Sequence, residues 1–356
     1  MIKQVLIFGK NVFLNILNNH KNDIFHVVEG VDWAVFQVGK NICRNNNTTK
    51  TKKIKLTTTH IGLRNKIIHF GSVNTLISKN GVKSVHPSNK IVLTWFHIPS
   101  DDKRIKYIPE LNKKIDVVHT SCNITKEKLI NHGLSADKIV VVPLGVDLEK
   151  FKPYSEEKKI FLKKKLGIPE NKLVIGSFQK DGNGWGEGFE PKMIKGPDVF
   201  CDAVEKLSKI YPVHVLLTGP ARGFVKRKLE MSGIGYTHKY LKNYPVIANF
   251  YNVLDLYLVT SREEGGPLAI LESMACGIPV ISTPVGMAPE VLLDNLDFLL
   301  TTQGDVAMIC EKAEKLLKDK ELRNKIVQNE LERVKKYNWE TIAGRYYKEI
   351  YSKIAL

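Results

Sequence analysis

Short apolar runs alternate along the chain with longer stretches whose apolar residues recur every three or four positions. The runs are Lys3–Phe8, Ile67–Phe70, Ile91–His97, Asp116–Cys122, Leu173–Phe178, Val213–Gly219, Asp255–Ser261 and Pro279–Thr283. Their length and β-branched content predict strands. Lys3–Phe8 ends at Gly9, and a helix is expected from Asn11. Amphipathic helices are predicted over Thr125–His132, Asp198–Ile210 and Trp339–Ile354, with a charged helical linker over Tyr154–Lys172 and further helices over 305–337. Strand and helix in alternation point to an α/β protein with parallel sheets.

The pattern is sharpest at Thr260-Ser-Arg-Glu-Glu-Gly-Gly-Pro-Leu-Ala-Ile-Leu-Glu-Ser-Met-Ala-Cys-Gly-Ile-Pro-Val-Ile-Ser-Thr283. Asp255–Ser261 reads as a buried strand and Glu264-Gly265-Gly266 breaks it. Pro267 stands where a first helical residue loses nothing by lacking an N–H. Gly277 ends the helix, and Pro279 bars its continuation. The glycine turn therefore follows the carboxyl end of a strand, where open α/β sheets bind ligands. On the helical wheel Glu272 falls beside Leu268, at the edge of the apolar arc. A carboxylate there loses water and needs a partner such as a sugar hydroxyl or an N–H. The glycine pair admits close approach to the backbone, and the helix start offers N–H groups to an anion. For Glu264 or Glu272 taken alone, an ordinary βαβ turn with a surface glutamate remains the plain alternative.

A length of 356 residues allows two cores. No apolar stretch approaches the ~20 residues that a membrane-spanning helix needs, and Met1–Gly9 is too short for a secretory signal. Five dispersed cysteines without metal-ligand spacing fit a reducing cytoplasm, so the sequons at Asn47 and Asn123 carry no weight. The net charge of +17 is uneven, because residues 1–100 hold 14 Lys and Arg against 3 Asp and Glu. This predicts an anionic partner for the N-terminal half, or reflects a Lys- and Asn-rich composition. Nucleic acid is not expected, since no binding motif or interleaving of aromatic with basic residues occurs. A peripheral contact with an anionic membrane and a phosphorylated acceptor both stay open. Arg44–Lys53 reads as a polar, mobile loop. No Asp-x-Asp occurs, so no metal is expected.

The string Ser261-Arg-Glu-Glu-Gly-Gly-Pro-x5-Glu-Ser-Met-Ala-Cys-Gly-Ile-Pro-Val-Ile-Ser-Thr283 closely resembles the Glu-x7-Glu signature of family 4 glycosyltransferases, which have the GT-B fold. The likeness thins out over residues 90–350 and is weak before residue 60. It implies two doubly wound Rossmann-like domains facing a central cleft. Residues 1–155 would form the acceptor-side domain, 156–338 the donor domain, and 339–356 would pack back on the first. The implied activity is retaining transfer of a sugar, expected to be a hexose, from a UDP- or GDP-linked nucleotide-diphospho-sugar to a carbohydrate, lipid or protein acceptor, with no cofactor. A phosphorylase or sugar-phosphate synthase of the same fold, or a non-catalytic nucleotide-sugar-binding protein, remains an alternative.

Residue by residue, the resemblance has Glu272 bind the nucleotide ribose and Glu264 hold the donor sugar with Gly265 and Gly266. Lys195, in Lys195-Gly-Pro-Asp198, would stabilise the leaving diphosphate together with the helix start at Pro267 and Leu268. His97 would end a first-domain strand and face the donor sugar, with a satisfied structural histidine as its plain alternative. Gly9 and Lys10 would lie in the first loop, near the donor sugar, and become site candidates. Pro143-Leu-Gly-Val-Asp147 with Phe151 resembles the exit from the first domain and reads as a hinge. One departure stands out. The family has an arginine after the strand that corresponds to Leu173–Phe178, but Ser177 or Gln179 occupies that place, so Gln179 and Lys180 become candidates. Asp181-Gly-Asn-Gly-Trp-Gly-Glu-Gly188 follows; it fits neither a Walker loop nor a dinucleotide fingerprint and reads as an insertion able to fold over the ligand. Arg222 is expected at the surface, or facing the cleft. Tyr236–Tyr244 would be a loop beside the base.

Overall fold

The computed structural model describes residues 2–21, 23–30, 34–49, 52–241, 244–292 and 302–355. The chain divides into two compact units, residues 1–145 with 337–356, and residues 146–336.

The first unit is built on six parallel strands: β1 (Ile24–Val27), β2 (Ile54–Thr57), β3 (Ile67–Phe70), β4 (Lys90–Thr94), β5 (Val117–Thr120) and β6 (Ile139–Val141). Their spatial order is β2-β1-β3-β4-β5-β6. Both β1 and β3 are buried at every position, as expected of strands covered on both faces. Register pairs His26 with His69 and Thr94 with His119, which brings three buried histidines together in the sheet. The helix Trp339–Glu349 packs on α2 (Ala34–Thr49) in this unit, and a 3-10 turn at Tyr351–Lys353 follows it.

The N-terminus departs from expectation. Residues Ile2–Asn18 form one helix, α1, so Lys3–Phe8 is not a strand. Gly9 and Lys10 accordingly lie within a helix and not in a turn that follows a strand. The run Val5-Leu6-Ile7-Phe8 is too short for periodicity to assign. The apolar positions 2, 5, 6, 12, 13, 16 and 17 carry helical spacing across Gly9. The first connection from strand to helix falls instead at Glu29-Gly30, after β1.

Arg44–Lys53 is not simply a loop either, because α2 runs to Thr49 and β2 begins at Ile54; residues 50 and 51 lie outside the described residues. Its asparagines meet backbone groups locally. Asn45 donates to the Asn41 carbonyl at 2.8 Å and Asn46 to that of Lys52 at 2.9 Å. Asn47 engages both the carbonyl and the N–H of Ile54, at 2.8 and 2.7 Å. A polar stretch is ordered here because its amides have backbone partners.

The second unit has five parallel strands: β7 (Leu173–Phe178), β8 (Val213–Thr218), β9 (Tyr236–Lys239), β10 (Leu256–Val259) and β11 (Val280–Ser282). They are ordered β9-β8-β7-β10-β11. Tyr236–Tyr244, expected as a loop, thus begins as the edge strand β9; residues 242 and 243 are outside the described ones. The helices α3 (Pro197–Ser208), α4 (Gly223–Met231) and α5 (Leu268–Ala275) join the strands. Phe200, Val204 and Leu207 of α3 pack on Ile175, Val215 and Leu217 in the unit's core. Glu156–Leu166 is the predicted linker helix, capped by Ser155 and ended by Gly167 in the left-handed region.

Candidate functional site

In the second sheet the strand order reverses at β7, between β8 and β10, and loops leaving β7 and β10 meet at this switch point. The two loops are zipped together. Backbone N–H groups of Arg262 and Glu263 donate to the Ile194 carbonyl at 2.8 and 3.1 Å. The Arg262 guanidinium forks onto Asp198 at 2.8 and 2.6 Å and also donates to the Met193 carbonyl. Gly196 has φ +60°, and a Cβ there would lie 1.9 Å from the Thr260 carbonyl oxygen. Only glycine passes at that point.

This scaffold holds Lys195 against Glu264. Lys195 Nζ is 2.5 Å from Glu264 Oε1, and Ser261 Oγ donates to the same oxygen at 2.9 Å. Lys192 lies in the same field. Its pKa is lowered, first by burial and then by the charges of Lys195 and Lys180, with Glu264 opposing. Three lysines therefore share the field of one carboxylate, an excess of positive charge that suits a polyanion. Gln179 donates from Nε2 to the Lys195 carbonyl at 3.1 Å, so its side chain is engaged in fixing the lysine's backbone. Lys180 Nζ rests 4.1 Å above the Trp185 ring.

Beyond Glu264, the Gly265 carbonyl accepts from Met287 N–H at 2.9 Å. Helix α5 begins at Leu268 with Pro267 as its cap residue, one position later than the sequence reading. Among the described residues no protein acceptor meets the N–H groups of Gly266, Leu268 and Ala269. No acidic side chain occupies the first turn of α5, so this end carries uncompensated positive potential. Gly277 takes φ +70° just past the helix, as its role as a terminator requires.

Glu272 lies deeper than an edge position, at 4% exposure. Its Oε2 accepts from the Tyr251 hydroxyl at 2.9 Å. Tyr251 in turn packs on Phe178 and Tyr257, with centroids 4.8 and 5.3 Å away. Sequence reasoning missed Tyr251, for no spacing rule ties it to Glu272.

Residues 181–192 form a hairpin closed by a bridge between Gly182 and Pro191 and by Lys192 N–H to the Asp181 carbonyl at 2.7 Å. The carbonyls of Glu187 and Gly188 accept the N–H groups of Gly223 and Phe224 at 2.7 and 2.9 Å. The insertion thus caps α4. Arg222 is buried and is not the expected surface residue. Its Nη1 donates to the carbonyls of Ser177, Gln179 and Thr218 at 2.7 to 2.9 Å. Its Nε lies 2.9 Å from Asp181 Oδ1, a close ion pair without hydrogen-bond alignment. Burial raises the Asp181 pKa, and Arg222 opposes that rise. The arginine pins the ends of β7 and β8. Trp185, Gly219, Pro220, Lys226, His238 and Tyr240 line a pocket of about 380 Å³ beside it. In the first unit, His97 is half-buried three residues beyond β4, while Gly9 and Lys10 are on α1. Among the described residues no group of three or more His, Cys, Asp or Glu side chains is arranged to hold a metal.

Residues 189–333 match the family model described as glycosyl transferases group 1. A D-inositol 3-phosphate glycosyltransferase from Xylanimonas cellulosilytica is 27% identical over 260 residues, which cover 69% of this chain and 59% of that protein. The chain thus spans less than two thirds of that relative's length. Among solved structures, Anabaena HepE in complex with UDP and glucose superposes with a TM-score of 0.75 at 17% identity, covering 92% of this chain and 99% of the other. A glycosyltransferase from Rickettsia africae superposes at 0.70 with 18% identity, covering 94% and 98%. At these identities the likeness is one of fold, and it extends over both units: the chain has the GT-B type of α/β fold, with two doubly wound Rossmann-like units.

Proposed function

We propose that the chain is a metal-independent, retaining glycosyltransferase of the family 4 type, which moves a hexose from a UDP- or GDP-linked sugar. The observation that carries this reading is the Lys195–Glu264 pair at the switch point of the second sheet, beside the open N–H groups of Gly266, Leu268 and Ala269. In the reaction the bond from the anomeric carbon to the diphosphate breaks and one to an acceptor hydroxyl forms, whose proton passes to the departing phosphate oxygen. Negative charge grows on that diphosphate. Fixed positive groups lower the barrier because they need not reorganise as it appears. Lys195 and the start of α5 supply this, with Lys180 or Lys192 in the role of the absent arginine.

Glu264, with Gly265 and Gly266, would hold the donor sugar; the role of His97 rests on the resemblance alone. Glu272, oriented by Tyr251, would accept the ribose hydroxyls. Gln179 acts through Lys195, and Gly9 lies on α1 and not in the turn after a strand on which its candidacy rested. The pocket lined by Trp185 and Tyr240 would take the base. Retention and the hexose rest on the resemblance of the Glu-x7-Glu string. The acceptor is a carbohydrate, lipid or protein hydroxyl.

The test is nucleotide release from a panel of UDP- and GDP-sugars with excess chelator present, followed by NMR of the product's anomeric centre. Release from one donor class with the configuration kept is expected. Loss of turnover in chelator, restored by magnesium or manganese, would refute metal independence. Thermal stabilisation by a donor without any release would favour a binding protein instead.

A further inference from the structure

We propose that the first unit docks on an anionic phospholipid surface through α1 and the loop after β2. Phe13, Ile16 and Leu17 of α1 are 61%, 57% and 48% exposed, and Ile61 of the loop is 48% exposed. A helix on a water-soluble protein normally buries its apolar stripe. Over residues 11–17 α1 instead anchors itself through polar side chains. Buried Asn15 donates to the carbonyls of Thr59 and Ile61 at 2.9 and 3.0 Å, and Asn11 donates to Thr58 Oγ1 at 2.8 Å. Ile16 packs on Gly62, where a Cβ would come within 3.0 Å of it, so helix and loop present one continuous apolar ridge.

Cations flank the ridge. His60, Arg64, Ser84 and His86 line a pocket of about 200 Å³ that also includes Ile61 and Gly62. Arg64 and His86 are exposed and hydrogen-bonded to each other. Lys10, Lys21 and Lys83 are exposed too, and the sequence from Trp33 to Ser100 contains no Asp or Glu. Apolar side chains beside a pocket that carries the Arg64 guanidinium, with lysines exposed on the same unit, match the boundary between headgroups and acyl chains of an anionic bilayer. A nucleic-acid backbone would satisfy the cations but leave the four apolar side chains without a counterpart. A two-fold contact between copies would set these cations against one another.

The full chain is floated with phosphatidylcholine vesicles, with and without phosphatidylglycerol. Binding is expected on the anionic vesicles alone, weakening as salt rises. Phe13→Ser/Leu17→Ser should lower the partition coefficient about tenfold or more, since two exposed side chains no longer enter the apolar layer. Arg64→Glu should also lower it. Because the five cysteines are all buried, Phe13→Cys can carry one environment-sensitive dye, whose emission should shift to the blue on anionic vesicles. Equal binding to neutral and anionic vesicles would overturn the proposal, as would wild-type partitioning of the double serine variant or an unshifted dye. Binding to duplex nucleic acid with none to vesicles would overturn it as well.

Discussion

Lys195 and Glu264 neutralise each other while the site is at rest, and Ser261 keeps the carboxylate in place. On the proposed function an incoming diphosphate would compete with Glu264 for the ammonium group, so the two residues would act as a unit. Such units are non-additive under mutation. Lys195→Ala and Glu264→Gln should each lower kcat about 10²–10³-fold, the range for losing one preorganised charge partner. The double variant should fall short of the product of the two losses by a coupling of ~1–3 kcal/mol. Strictly multiplicative losses, measured in single-turnover kinetics, would show that the pair is not functionally coupled. Glu264 and Glu272 stood out in the sequence as candidates because glycine, proline and carboxylate recur there at spacings with a mechanical reason, and Lys195 through the resemblance alone. Tyr251, Ser261 and the Arg262–Asp198 fork were not, since each depends on two loops meeting in space.

Among the elements, apolar runs bounded by turn residues were the most readable, although the buried β1 and the partly buried β2 were not read as strands. Leu173–Phe178 is β7 as read, and Val213–Thr218 makes up β8. Two misreadings share a cause. Lys3–Phe8 and Arg44–Lys53 were judged on local composition, whereas the helices that contain them find partners elsewhere: Asn11 and Asn15 of α1 meet Thr58, Thr59 and Ile61, and Asn47 of α2 meets Ile54. The glycine-rich stretch within 181–192, read as an insertion able to fold over the ligand, belongs to a hairpin in which Gly188 passes close to the Ala221 backbone, where a Cβ would meet the carbonyl oxygen at 2.4 Å. The hairpin serves to cap α4 and to carry Trp185 to the pocket rim, where its ring is 63% exposed under Lys180. Trp185→Ala should leave the melting temperature of the free protein nearly unchanged. It should weaken nucleotide binding about tenfold or more, since a base stacked on an aromatic ring is worth ~1–3 kcal/mol. Calorimetric titration with UDP and GDP checks this, and an unchanged Kd would remove the tryptophan from the site.

At the scale of the whole molecule, stability should depend on pH through the sheet of the first unit. Tyr351 Oη lies 2.7 Å from His69 Nδ1, His69 Nε2 lies 2.7 Å from Thr94 Oγ1, and Thr94 Oγ1 lies 2.9 Å from His119 Nδ1. His119 Nε2 faces the Val142 carbonyl at 2.9 Å, which fixes it as the donor nitrogen, and Tyr346 Oη is 3.0 Å away. The chain is satisfied when both rings are neutral, with Thr94 donating to His119 and Tyr351 donating to His69. A further proton on either Nδ1 would confront a hydroxyl hydrogen. His26 packs against His69 with centroids 4.2 Å apart and planes tilted by 41°, and among the described residues its buried Nδ1 has no hydrogen-bond partner. Burial lowers the pKa of His26 to about 3 and of His119 to about 4, assisted by His119 and Arg345 respectively; that of His69 also falls well below its usual range. Cys43 and the two tyrosines that border the cluster have pKa values raised by burial, so none supplies a compensating negative charge at neutral pH. The unfolded rings titrate near 6.5 and so bind protons more readily than the folded ones. Stability is therefore whole above pH 6.5 and declines as pH falls towards 4. At pH 5 the loss is on the order of 2 kcal/mol for each ring that stays neutral in the fold. Thermal unfolding followed by circular dichroism from pH 7.5 to 4.5 should show a falling midpoint, with a shallower slope in His26→Gln than in wild type. A midpoint flat across that range, or an equal slope in the variant, would mean that these rings take up protons within the folded sheet.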